Sequence, residues 1–282
     1  MSFNNEYNNI KSLLSPTLEA LDREILSNFE DQLNLKEYIK APSKHIRPVL
    51  AFLYLKALGK EITPEQIKLQ AVIELAHNAS LIHDDVIDEC EIRRTQVSLN
   101  KREGNHLAVI GGDFILSYAL EKLAELKSTE LLGIFSNTLK LMCKGEINQQ
   151  KNKYKIPTLE EYIQKNYQKT GALFEASVKS SLYLAGIKDK SSEFAGNFGI
   201  AFQIRDDILN ITKKRTDSDI ENGIYTAAVI YSGDPKDPYS GIEKAKSLLN
   251  NYTGKVKEEI EKLPESKYKQ ALTGLVEILN NE

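Results

Sequence analysis

The sequence lacks the features that mark several classes of protein. Its apolar runs are far shorter than the ~20 residues that a membrane-spanning helix needs. No basic N-terminal start precedes an apolar stretch, as it would in a signal peptide. The 37 basic and 40 acidic residues give a formal charge of −3, which does not suggest nucleic acid as a partner. We therefore expect neither a membrane segment nor a nucleic-acid ligand.

Cysteine is scarce as well. Cys90 and Cys143 are the only two in the sequence, too few for a disulfide framework, so the reducing cytoplasm is the expected location. Because free cysteine packs as a small apolar residue, both thiols are predicted to be buried or half-buried.

Alternating strand patterns between hairpin turns are also missing, whereas apolar residues recur every three to four positions, as in amphipathic helices. Thr63 and Thr158 each begin a capping box, a signature of helix starts. The spacing predicts helices over residues 4–31, 44–57, 64–90, 106–127, 129–151, 158–185, 190–213, 221–231, 240–250, 253–263 and 265–280. A chain of 282 residues with 41% apolar content can bury a large core. The predicted fold class is all-α, with residues 1–282 as a single domain forming one large helical bundle.

The stretch ASLIHDDVIDECEIRR (79–94) carries a first acidic motif. Asp84 and Asp88 lie one helical turn apart with Asp85 beside them, and carboxylates near a helix C-terminus oppose the helix dipole and repel one another. Oxygen ligands with open positions suit Mg²⁺, and Arg93 and Arg94 offer forked donors for phosphate. The pattern predicts a magnesium–diphosphate site, although a solvated helix face would have the same composition.

The stretch GNFGIAFQIRDDILNIT (196–212) carries a second acidic motif. Gln203, Asp206 and Asp207 have the spacing i, i+3 and i+4. Gly196 and Gly199 weaken a helix, which is easier to understand if another helix or a ligand approaches closely. Two acidic helices facing one another would hold metal ions on both sides of a diphosphate, so the second motif strengthens the hypothesis of a metal–diphosphate site.

With these motifs the chain resembles the trans-isoprenyl diphosphate synthases, also called polyprenyl synthetases. The resemblance covers about residues 40 to 230 and also includes PSKHIRPVL (42–50), NHLAVIGGDFILSYA (105–119) and KTGALFEAS (169–177). It implies an all-α isoprenoid synthase fold around a deep central cavity, and a homodimer. It further implies elongation of allylic prenyl diphosphates with isopentenyl diphosphate, with about three Mg²⁺ ions in each active site.

The resemblance also implies residue roles. Metal would be bound by Asp84, Asp85, Asp88, Asp206 and Asp207. The allylic diphosphate would be held by Arg93 and Lys169, and Lys214 would also bind substrate. Isopentenyl diphosphate would be held by Lys44, Arg47, His77 and Arg94. The reaction centre would be lined by Thr170 and Gln203, and the residues expected to be catalytic are Asp84, Asp85, Lys169, Thr170, Gln203 and Asp206.

Two positions depart from the family pattern. Asn210 ends the second acidic motif where many relatives have aspartate, and an amide oxygen accepts from a metal-bound water without contributing charge. Of the two lysines that often follow, Lys214 fits the first, whereas the second falls on Ile224, which cannot bind phosphate. Lys213 or Arg215 would have to substitute for it.

Ala79 and Ser80 bear on the length of the product. In this family, side chains just before the first acidic pair form a floor for the growing chain, and both residues are small. We therefore predict geranylgeranyl diphosphate (C20) as product, with a longer polyprenyl chain as the alternative. Two other functions compete: a terpene cyclase, which would not need the isopentenyl pocket, and a non-catalytic regulatory subunit, which the departures at Asn210 and Ile224 suggest.

Overall fold

The computed structural model describes residues 3–41, 43–94, 96–213 and 219–281. The helices of the first half are α1 (Phe3–Ser12), α2 (Ser15–Leu26), α3 (Leu35–Lys40), α4 (Ile46–Ala57), α5 (Pro64–Ile87), α6 (Leu99–Glu103) and α7 (Asn105–Glu125). A short antiparallel hairpin, β1 (Ile92–Arg93) and β2 (Gln96–Val97), lies between α5 and α6. The later helices are α8 (Thr129–Lys151), α9 (Leu159–Asn166), α10 (Ala172–Leu184), α11 (Glu193–Thr212), α12 (Ala227–Ser232), α13 (Ile242–Glu261) and α14 (Lys267–Asn280).

The all-α prediction is confirmed, and both predicted capping boxes are present, at Thr63 and Thr158. The helix predicted over residues 4–31 is wrong, because the chain breaks between α1 and α2, where Pro16 lies in the first turn of α2. Proline lacks an N–H and is favoured at such a helix start. The break predicted between residues 250 and 253 is also wrong, since α13 continues through Gly254, whose surroundings are open.

Three short elements were not predicted: α3, α6 and the β1–β2 hairpin. Each strand has only two residues, which is too short for an alternating pattern to appear. The predicted loop at 232–241 holds a 3₁₀ turn, Pro238–Gly241. A π-helical segment, Tyr167–Gly171, joins α9 to α10.

The chain divides into two compact units. The smaller unit consists of Leu14–Phe52 and Glu61–Leu132. Within it, α5 packs mainly against α7 and α2. Gly112 allows the close approach of α7 to α5, because a Cβ there would lie 2.3 Å from Nε2 of His83. The smaller unit therefore positions the first acidic motif, which ends α5.

The larger unit consists of Met1–Leu13, Leu53–Lys60 and Gly133–Glu282. Within it, α11 packs mainly against α13 and α10. The backbones of Gly199 and Gly171 touch, since a Cβ on Gly199 would lie 2.6 Å from the Gly171 Cα. The close helix approach predicted from the glycines of α11 is thus confirmed. The prediction of a single domain over residues 1–282 stays a prediction.

Two further expectations concern surfaces. Across the described parts of the chain, no helix combines the length and apolarity needed to cross a bilayer. Cys90 is half-buried as predicted, but Cys143 is exposed. The prediction for Cys143 is wrong, because α8 presents it on a face that it shares with the exposed Lys140 and Ile147.

Candidate active site

The first acidic motif lies on the last turn of α5 and just beyond it. Asp84 is half-buried and Asp88 is exposed. Asp88 caps the helix, and its backbone N–H donates to the Asp84 carbonyl at 2.8 Å. The two side chains therefore share one face of the helix end, as their spacing predicted.

Asp85 has a different environment. Its side chain is fully buried, and Oδ1 accepts from Arg93 Nε at 2.7 Å and also from Arg93 Nη2. Burial opposes the charge on Arg93, but the hydrogen bonds to Asp85 and the negative charge of Asp85 together outweigh it and raise the pKa of the guanidinium. Oδ2 lies 3.5 Å from the Tyr38 hydroxyl. The buried carboxylate of Asp85 thus fixes the position of Arg93, which lies in the hairpin strand β1.

A basic cluster also lies in the smaller unit. Arg47 is buried near the start of α4, and burial lowers its pKa to about 10. Burial and the charge of Arg47 also hold the pKa of His77 well below its usual value, so this imidazole is neutral at pH 7. Arg94 acts electrostatically on both and donates from Nη1 to Asn78 Oδ1 at 3.2 Å. The structure brings Arg47, His77 and Arg94 together, and places Lys44 at the exposed edge of the segment before α4.

The second acidic motif, like the first, combines a half-buried aspartate with a fully buried one. Asp206 is half-buried, whereas Asp207 is buried and accepts hydrogen bonds from the Tyr162 hydroxyl at 2.6 Å and from Gln203 Nε2 at 2.8 Å. Burial raises the pKa of Asp207. Gln203 Oε1 in turn accepts from Thr170 Oγ1 at 3.1 Å. Three residues singled out from the sequence, Thr170, Gln203 and Asp207, therefore form one hydrogen-bonded chain.

Lys169 lies in the π-helical segment and is paired with a residue that the sequence analysis missed. Its Nζ is 2.5 Å from Glu146 Oε2 on α8, and Gln150 Nε2 donates to Glu146 Oε1 at 2.7 Å. Burial opposes ionisation of Glu146, but the charge of Lys169 and the hydrogen bonds from Gln150 and Lys169 together outweigh it and lower the pKa of the carboxyl. Gly145 on α8 makes the close approach of the π-helical segment possible, since a Cβ at this position would lie 3.0 Å from the backbone nitrogen of Lys169.

The departure at Asn210 is partly explained. Asn210 Nδ2 donates to Asp219 Oδ2 at 3.1 Å, so a carboxylate from later in the chain stands beside the amide. Asp219 was also missed, and burial raises its pKa. A lone aspartate in a polar loop gives no signal in the sequence, because its partner lies nine residues away with no helical spacing.

The other departure, Ile224, lines a cavity of about 240 Å³ in the larger unit together with Lys165, Gln168 and Tyr162. Burial lowers the pKa of Lys165, which faces the charges of Asp207 and Asp219. Lys213 is exposed at the end of α11. Lys214 and Arg215, the other candidate cations, lie outside the described residues.

The chemistry of the donor set bears on the expected metal. Some metal sites are formed entirely by protein side chains. Among the residues that the structure describes, no three His, Cys, Asp or Glu side chains come close enough together to form such a site. Magnesium usually takes only one or two carboxylates and completes its shell with water and phosphate oxygens. Asp84 and Asp88 in the smaller unit are not fully buried and offer such oxygens, and so does Asp206 in the larger unit.

Comparison with known proteins decides the family. The polyprenyl synthetase profile matches residues 32–269. The chain belongs to the polyprenyl synthetase family. The match includes every motif on which the resemblance rested, and it contains residues of both compact units.

Among polyprenyl synthetase relatives, a decaprenyl-diphosphate synthase of Dictyostelium discoideum is 32% identical over 302 residues, covering 95% of this chain and 65% of that protein. The chain thus spans just under two thirds of that relative's length. An all-trans-nonaprenyl-diphosphate synthase (geranyl-diphosphate specific) of Rhodobacter capsulatus is 30% identical, covering 95% of this chain and 96% of that protein.

A solved polyprenyl synthetase structure confirms the fold. The geranylgeranyl pyrophosphate synthetase of Pyrococcus horikoshii superposes with a TM-score of 0.86 at 26% identity, covering 99% of each chain. The sequence relatives are named for decaprenyl and nonaprenyl products, whereas this neighbour is named for a geranylgeranyl product. Family membership therefore leaves the product length open.

Proposed function

We propose that the protein is a prenyl diphosphate synthase that condenses isopentenyl diphosphate with an allylic prenyl diphosphate. One observation carries the proposal: the smaller unit holds both an accessible carboxylate pair, Asp84 and Asp88, and a separate cluster of Arg47, His77 and Arg94. The reaction needs two diphosphate sites of different kinds, one formed through metal and one formed by cations alone.

Magnesium, about three ions by family resemblance, would be held mainly by Asp84, Asp88 and Asp206. When bound there, it would neutralise the negative charge that develops on the departing diphosphate. Asp85 and Asp207, also expected as ligands, are buried and hydrogen-bonded. We assign them the role of orienting Arg93 and Gln203.

The basic residues hold the two substrates. Arg93, backed by Asp85, and Lys169, backed by Glu146, bind the allylic diphosphate, and Lys214 joins them in this proposal. Lys44, Arg47 and Arg94 bind the diphosphate of isopentenyl diphosphate, and neutral His77 donates a hydrogen bond to it. Binding both substrates next to one another in the correct orientation contributes much of the rate enhancement, because the bimolecular reaction then proceeds as a unimolecular step within one complex.

The bond changes follow from the substrates. The allylic carbon–oxygen bond breaks, the alkene of isopentenyl diphosphate forms the new carbon–carbon bond, and the released diphosphate takes the proton that is lost. The Thr170 hydroxyl and the Gln203 amide oxygen, 3.1 Å apart, offer partial negative charge to the allylic cation. Water has to be excluded, because it would convert the cation to an alcohol.

Geranylgeranyl diphosphate is the product that we propose. Ala79 is small and 2% exposed, and Ser80 turns its hydroxyl back to the His77 carbonyl at 2.9 Å, so neither presents a bulky side chain as a floor. The long-chain relatives favour a longer polyprenyl diphosphate as the second candidate.

We further propose a homodimer. On α7, Val109, Ile110 and Leu120 expose 42%, 59% and 40% of their surface, and exposed apolar side chains on one helix are typical of a contact between subunits. The cytoplasmic location stays a prediction.

Turnover by the purified chain tests the proposed function. With Mg²⁺, labelled isopentenyl diphosphate and farnesyl diphosphate, we expect a longer prenyl diphosphate, predominantly C20, on chromatography of the dephosphorylated products. Asp84→Asn is the inactive control. No elongation would favour the regulatory subunit, and a cyclic hydrocarbon formed from a prenyl diphosphate alone would favour a cyclase.

A further inference from the structure

His45 lies between the two cations that open the isopentenyl diphosphate site, Lys44 and Arg47. Its backbone has φ = +52°, in the left-handed region that side chains other than glycine rarely adopt. Its carbonyl accepts from the Val49 N–H at 2.9 Å and so closes the first turn of α4. The direction in which the chain enters α4, and with it the placement of Lys44 and Arg47, depends on this unusual conformation.

Both ring nitrogens of His45 face carboxylates. Nδ1 is 2.7 Å from Glu74 Oε2 on α5, and Nε2 is 3.0 Å from Asp22 Oδ1 on α2. Since carboxylates only accept, both nitrogens must carry protons, and the ring is an imidazolium. The side chains of His45 and Glu74 are 11% and 2% exposed, so the inner half of this bridge is shielded from water.

Glu74 connects His45 to the substrate site. Its Oε2 also accepts from the Ser43 hydroxyl at 3.3 Å, and the charge of Arg47 acts on it. The groups that face His45 are Asp22 from α2 and Glu74 from α5. Glu74 in turn faces Arg47 and His77. Arg47 also faces Arg94.

At His45 this chain departs from the family pattern that it resembles. The stretch SKHIRP (43–48) resembles glycine-lysine-arginine-x-arginine-proline, with Ser43 in place of the glycine and His45 in place of the first arginine. An arginine stays charged at every relevant pH, whereas a histidine titrates. Burial lowers the pKa of His45, but the hydrogen bonds with Asp22 and Glu74 outweigh it and raise that pKa to about 9.

We propose that His45 is a positioning residue for isopentenyl diphosphate: its imidazolium, bridging Asp22 and Glu74, holds the backbone that presents Lys44 and Arg47. This inference rests on the proposed function. The bridge is intact at neutral pH and is lost as the pH rises through about 9. Above it, a neutral ring donates from one nitrogen only, one carboxylate loses its partner, and the segment before α4 loosens. Affinity for isopentenyl diphosphate should then fall while affinity for the allylic substrate is retained.

The experiment compares KM for each substrate at pH 7 and pH 9.5 in the wild type, His45→Arg and His45→Gln. Between pH 7 and pH 9.5 we expect KM for isopentenyl diphosphate to rise about fourfold in the wild type, because about three quarters of the His45 rings are neutral at pH 9.5 when the pKa is about 9. His45→Arg should not show this rise. His45→Gln should have the raised KM at both. The allylic KM and kcat should differ less than about twofold among the proteins. His106→Gln, at an exposed histidine of α7, is the matched control and should behave as wild type.

The outcomes separate this inference from the proposed function. The positioning role would be overturned if KM for isopentenyl diphosphate changed with pH in the same way in the wild type and in His45→Arg. It would also be overturned if KM rose equally for both substrates. If His45→Gln does not fold, judged by circular dichroism, the comparison of wild type with His45→Arg still decides. If the wild type has no turnover, calorimetric titration with isopentenyl diphosphate at the two pH values replaces KM. Binding that is insensitive to pH then contradicts the inference, and no binding contradicts both proposals.

Discussion

Arg93 donates from Nε to the buried carboxylate of Asp85 at 2.7 Å, and the two residues are eight apart in the chain. Asp85 is therefore an internal counter-ion, whereas its neighbour Asp84 on the same turn of helix is only half-buried. Two adjacent aspartates of one motif thus have different physical roles, which makes them separable by experiment.

Replacement of each aspartate by asparagine should separate those roles. Asp85→Asn leaves Arg93 without its charged partner, and breaking a buried ion pair costs about 3 kcal/mol of unfolding free energy. Asp84→Asn should change stability by less than about 0.5 kcal/mol, since it removes a carboxylate from a helix end that disfavours negative charge. Urea unfolding measures both. Equal losses in the two variants would contradict the division of roles.

Glu146 should matter for the allylic substrate. Glu146→Gln keeps the shape and the contact with Gln150 but removes the charge 2.5 Å from Lys169, so the ammonium is no longer held. We expect KM for the allylic diphosphate to rise roughly tenfold, with KM for isopentenyl diphosphate unchanged. Glu160→Gln, at an exposed position of α9, serves as control. A change only in the isopentenyl KM would show that Lys169 belongs to the other site.

Ala79 tests the proposed floor of the product cavity. A phenylalanine in place of this small residue should stop the growing chain earlier, so Ala79→Phe is expected to shorten the product, as seen by chromatography of dephosphorylated prenols. Ala79 is 2% exposed, and overpacking costs about 1–3 kcal/mol. Ser80→Phe, at a half-buried position, provides a second variant, and an unchanged product spectrum in both would remove the floor assignment.

Stability should fall in alkaline solution because of His45. Its pKa is raised from 6.5 to about 9 on folding, so its contribution is complete below pH 6.5 and is lost as the pH rises through 9. A pKa shift of this size corresponds to about 3 kcal/mol of unfolding free energy. Glu74, with its pKa lowered to about 2, contributes fully above pH 4.5. Urea unfolding at pH 6.5 and pH 9.5 should show the loss in wild type and a smaller one in His45→Arg; equal losses would exclude His45 as the cause.

The sequence by itself determined the all-α class, the resemblance to the family and the positions of both acidic motifs. Helical period and capping boxes are local properties, so the starts of α5 and α9 at Thr63 and Thr158 could be predicted from a few neighbouring residues. The spacing of Asp84 and Asp88 likewise required only that α5 be a helix.

Only the tertiary structure decided which carboxylate of each acidic pair is buried, and which partners the cations have. The rotation of α5 and α11 against their neighbours buries Asp85 and Asp207 and leaves Asp84 and Asp206 more accessible. The pairing of Lys169 with Glu146 joins residues of different helices, and the bridge at His45 joins segments that are distant in sequence. Local spacing cannot encode such pairs, because they form only when the packing of apolar faces brings distant segments together.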